Sequence, residues 1–137
     1  MLNRLERICR FLTMAISQAL ALASALLADT GERYELDLIG VHRLRADDFR
    51  QGNIILDLEV ITGRAPPVSE FNRQMERLDE TPSADVAPSY HDARSSRIEK
   101  IFVQIVAGET TLVIVNPTYG FDLVALCSSA VLRGPHP

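Results

Sequence analysis

Four carboxylates are the residues with the most chemical potential, and they sit at alternate positions of two apolar segments. Glu35 and Asp37 lie in RYELDLIGVHRL, and Asp57 and Glu59 in NIILDLEVIT. Alternate spacing sets both members of a pair on one side of a strand. Antiparallel closure of the two segments around residue 48 would place Asp37 opposite Glu59. Directly opposed like charges destabilise a sheet unless something neutralises them. Such a group can take Mg²⁺ or Ca²⁺ through oxygen ligands, or keep one carboxyl protonated for acid–base work. The plainer reading is a solvated sheet surface, balanced by Arg33, Arg43, Arg45 or the arginines of another subunit. No lysine lies near in sequence to complete a nuclease-like set.

The histidines His42, His91 and His136 are far apart. Ser89-Tyr90-His91-Asp92 holds the residue types of a hydrolytic triad. A triad also needs fixed geometry and an oxyanion pocket, and no GxSxG supplies one. GxxxxGK and GxGxxG are absent as well, which sets aside nucleotide binding through those loops. Cys9 and Cys127 are the only cysteines, with no CxxC, so a structural zinc site is not expected. They read as buried free thiols in a reducing compartment, with a disulfide between them as the lesser alternative. The side-chain inventory thus predicts no catalytic residue, no metal site and no cofactor.

Arg4, Arg7 and Arg10 recur every three residues near the start of the chain. A row of this kind can meet phosphates or a partner's carboxylates, or simply face solvent. The net charge of −4 and a pI near 5.3 argue against a general nucleic-acid binder, which needs a basic face. Of the 14 basic residues only Lys100 is a lysine.

The elements that must position these groups follow from periodicity. Residues 2–29 contain no Gly or Pro and are rich in Leu and Ala, the strongest helix formers. Leu5, Ile8, Leu12, Ala15, Ala19, Leu22 and Leu26 recur at helical spacing, which predicts one long helix. Ser17, Ala21, Ser24, Ala25 and Ala28 give it a second face of small residues. A helix apolar nearly all round is buried on more than one side, here by the chain's own sheet and by a second copy. A signal peptide and a membrane span compete for this stretch. Glu6 within the would-be charged region and the Ser17-Gln18 interruption count against the first. Thr13, Ser17, Gln18 and Ser24 count against the second.

Residues 33–44 and 53–62 alternate with period two and predict a strand hairpin around the loop 45–52. GRAPP, residues 63–67, ends the second strand, because proline cannot donate to a ladder. Ser69 can cap a short helix over 70–80, with Phe71, Met75 and Leu78 as its apolar stripe. Residues 81–96 are polar, carry Pro82 and Pro88, and read as a long loop. Residues 97–107, 110–116 and 121–128 read as a three-strand meander, with Gly108-Glu109 as its first turn. Residues 133–137 read as an extended tail. The expected fold is a single α+β domain over 1–137, with the long N-terminal helix packed on an antiparallel sheet of about five strands.

In this order of elements the chain resembles the small ring-forming tail-terminator and neck proteins of tailed phages. The resemblance implies a non-catalytic structural subunit that assembles in the cytoplasm and then resides in the virion. Its partners would be copies of itself and other assembly proteins, with no membrane and no sequence-specific nucleic acid. Interface residues would then be Arg4, Arg7, Arg10, Ser17, Ala21 and Ser24 on the first helix. Arg45, Asp47, Asp48 and Arg50 around the first loop would join them, as would Tyr90 and His91 in the second. Two other classes compete. One is a small acidic partner-binding protein, such as a secretion chaperone or an inhibitor of a basic target. The other is an α+β enzyme with a pocket using Asp37, His42, Asp57 or Glu59.

Overall fold

The structure is a computed structural model that describes residues 4–5, 9–16, 20–27, 33–47, 53–79, 83–119 and 122–136. Side chains are described for 35–47, 58–79, 83–116 and 122–134. Among the described residues seven strands and two helices follow in the order β1 (Arg4–Leu5), β2 (Cys9–Ile16), β3 (Leu20–Leu27), β4 (Arg33–Asp47), β5 (Asn53–Ile61), α1 (Val68–Leu78), α2 (Pro88–Val106), β6 (Thr111–Tyr119) and β7 (Asp122–His136).

No long N-terminal helix forms, and the expected architecture is corrected accordingly. Residues 9–16 and 20–27 are paired antiparallel strands, with Cys9 opposite Leu27 and Ile16 opposite Ala21. Helix propensity separates ordinary residues by less than about 1 kcal/mol each and yields readily to tertiary context. Here β2 has ladder partners on both sides, β3 and β5, and β3 likewise lies between β2 and β4. Main-chain groups of a strand point alternately to its two sides, so partners on both sides, which β2 has over Cys9–Phe11, take up groups that one neighbour alone would leave unpaired.

All strand pairs are antiparallel, and the sheet order is β1-β5-β2-β3-β4-β7-β6. A further pairing of β6 with β5 returns the order to its start. The ring β5-β2-β3-β4-β7-β6 is therefore closed, which removes the exposed edges of an open sheet. The expected β4–β5 hairpin does not exist. β4 pairs with β3 and β7, while β5 pairs with β1, β2 and β6.

Strand alternation divides the apolar residues between two cores. Leu36, Leu38, Leu58, Val113, Val115, Leu123, Ala125 and Cys127 cluster on one face. Ile61, Leu112, Ile114, Val124 and Leu126 cluster on the other, covered by Phe71 and Met75 of α1 and Ile105 of α2. β6 and β7 are thus buried on both faces, which is why their sequences are nearly continuous in apolar residues. The register of β4 with β7 shifts between Val41 and Arg43. Gly40 sits there at φ +64°, a conformation that costs other residues a Cβ clash.

The meander is also corrected. Residues 97–107 belong to α2, not to a strand, and residues 88–96 of the expected loop form its first half. Pro88 stands at the first helical position, where its missing N–H costs nothing. Ile98, Ile101, Phe102 and Ile105 recur at i, i+3, i+4 and i+7, so α2 lays one stripe on the outer core. Gly108 and Glu109 do not turn a hairpin. Gly108, at φ +79°, donates to the Ile105 carbonyl at 3.1 Å, and the Glu109 N–H reaches the Gln104 carbonyl at 2.9 Å. This pair of bonds is the Schellman end of a helix. α1 begins at Val68 with Pro67 as its N-cap and no side-chain cap, so Ser69 is not the capping residue. Its buried stripe is Phe71 and Met75, with Leu78 packed beside them. At the other end of the chain β7 continues to His136, through most of the expected tail.

Candidate functional site

Two features stand out on the helical layer: a set of arginines gathered on the C-terminal end of α1, and an apolar groove between the helices. The last carbonyls of a helix have no intrahelical donor and carry partial negative charge. Arg43 of β4 donates to the Leu78 carbonyl at 2.6 Å, and Arg45 to the Arg77 carbonyl at 2.9 Å. From α2, Arg94 donates to the Asp79 carbonyl through Nε at 3.2 Å and through Nη2. Arg97 closes the set on the Asp79 carboxylate at 2.6 Å. Its guanidinium, aided by Arg43 and Arg94, holds the Asp79 carboxyl below its ordinary pKa. Both a strand of the barrel and the second helix are thereby fastened to one helix end.

The upstream turn of α1 is linked in the same way. Arg73 bonds both oxygens of Glu70, at 3.1 and 2.9 Å, and depresses the Glu70 pKa. The fully buried Gln74 donates to Glu70 at 3.0 Å and accepts from Arg77 at 2.9 Å. Arg77 lies 3.0 Å from Asp122 of β7 and 3.7 Å from Asp47 of β4, and Arg45 bonds Asp47 at 2.8 Å. Arg45, Arg73, Glu76 and Arg77 line an open cleft of about 420 Å³. Charges of both signs alternate through this network, so its net field is small.

The groove is different in kind. Val68, Phe71 and Asn72 of α1 face Ile98, Glu99, Phe102 and Val103 of α2 across an open space of about 430 Å³. Phe71 and Phe102 meet edge to face, with ring centroids 5.1 Å apart and planes at 80°. That geometry suits the aromatic quadrupole and fixes both rings. On the rim, Val68 and Val103 are each 64% exposed, and Val106 is exposed nearby. An apolar surface with an aromatic floor can take an aliphatic or aromatic side chain from another molecule.

The carboxylate group expected from sequence is not assembled. Asp37 lies opposite Leu22 and Val131, and Glu59 opposite Ile114 and Arg4. Asp37 is buried and paired with Arg133 across the β4–β7 ladder. Asp57 lies opposite Asn116, its side chain outside the described set. Among the described residues no three His, Cys, Asp or Glu side chains converge as metal ligands do. His42 is exposed on β4 and His91 partly buried on α2.

The expected interface residues fall into separate groups. Arg4, Arg10, Ala21 and Ser24 lie on β1, β2 and β3, at positions whose side chains are not described. Arg7, Ser17, Asp48 and Arg50 lie outside the described residues. Arg45 and Asp47 sit at the end of β4, on the α1 network. Tyr90 and His91 occupy the first turn of α2, where Tyr90 interacts with Arg97. Arg45 reaches the end of α1 directly from β4, whereas Tyr90 is connected to it only by way of Arg97. A period-two reading of 97–107 hides the groove residues of α2, although the spacing of Ile98, Ile101, Phe102 and Ile105 carries the helical signal.

Compared with models of known protein families, with curated proteins and with solved structures, the chain matches none.

Proposed function

We propose that this chain is a non-catalytic assembly subunit that binds other copies of itself through the groove between α1 and α2. The supporting observation is the apolar rim of that groove, where Val68 and Val103 each leave 64% of their surface in water. Fully burying a valine is worth about 1.5–3 kcal/mol, so the remaining exposure of each holds roughly 1–2 kcal/mol of unused burial. The α1 fasteners hold the groove wall in place before any partner arrives, which limits the ordering cost of association. The likeness to phage tail-terminator and neck proteins does not support this reading. It rested on an element order beginning with a long helix, and β2 and β3 occupy that stretch.

Light scattering across a wide range of protein concentrations tests the proposal. The expected result is a mass that rises above the 15.2 kDa of one chain. Val103→Asp, which places a charge on the rim without touching a buried position, returns the mass to that of one chain. A wild-type mass that stays at 15.2 kDa throughout overturns the proposal. So does a Val103→Asp variant that associates as well as the wild type. A far-ultraviolet dichroism spectrum of the variant establishes that α2 is still folded.

A further inference from the structure

We draw no further inference here: the strongest candidate, the arginine-lined cleft of Arg45, Arg73 and Arg77 at the C-terminal end of α1, carries nothing, because these guanidinium groups already bond carboxylates, Gln74 and a main-chain carbonyl of the same chain and no observation points to a ligand.

Discussion

Ile105 and Val103 are two residues apart, and their fates separate a helix from a strand. A strand places both on the same face, whereas two residues of α-helix turn through about 200°. The structure buries Ile105 completely and leaves Val103 64% exposed. Ile105 packs with Phe71, Met75, Leu112 and Leu126 in the outer core. Truncating it to alanine removes buried methyl groups and leaves a cavity between α2 and the sheet. Substitutions of this kind cost about 2–5 kcal/mol. Against a total stability of roughly 5–15 kcal/mol for a domain, that is a large fraction. Val103→Ala removes surface that is mostly wet and improves helix propensity, so its expected effect stays within about 0.5 kcal/mol. Urea unfolding followed by far-ultraviolet dichroism measures both, with the denaturant slope expected to be unchanged. The titrations belong at the lowest practical protein concentration, because self-association would add its own stabilisation. Equal losses in the two variants would refute the helical reading of 88–106 and with it the groove.

Other expectations follow from single contacts. Gly40→Ala puts a Cβ 2.5 Å from the Ser128 hydroxyl in a left-handed conformation, and should cost about 1–2 kcal/mol from backbone strain alone; adding Ser128→Gly in a double-mutant cycle should recover only the part due to overlap. Asp79 has its folded pKa lowered, chiefly by Arg97, so its contribution to stability is full above the unfolded value near 4 and is lost as pH falls through the folded value. Asp79→Asn should therefore flatten the acid limb of a stability–pH profile, and an unchanged limb would show that the Arg97 contact is not maintained in solution. Burial pushes the Cys127 thiol up to about 11, so in a Cys9→Ser background it should resist a thiol reagent at pH 8 until the protein is denatured.

Much of the middle and end of the chain is readable from periodicity. The alternation in 33–44 and 53–62 marks β4 and β5, and the stripe Phe71, Met75, Leu78 marks α1. GRAPP is an effective stop, and in the structure the Gly63 N–H leaves the ladder to bond the Ile105 carbonyl at 2.9 Å. The run Thr110–Asn116 signals a strand buried on both sides because no polar residue interrupts its core. Residues 97–107 were ambiguous in a different way. Ile101, Val103, Ile105 and Ala107 fit a period of two while Ile98, Ile101, Phe102 and Ile105 fit 3.6, and the polar half of α2 resembles a loop because it faces water.

Partnering is what a local pattern cannot supply. Asp37 and Glu59 oppose each other only if strands that are neighbours in sequence pair. Closure of the barrel gives β4 to β3 and β7, and gives β5 to β6, so that acidic group never forms. The leucine–alanine segments at 9–16 and 20–27 are equally a matter of context. Their small intrinsic preference for helix is outweighed when a ladder is available on each side. The chain thus encodes where apolar and polar faces alternate, since that depends on neighbours a few residues away. Which strand meets which, and where α2 leaves a groove, depends on long-range closure, and only the folded molecule settles it.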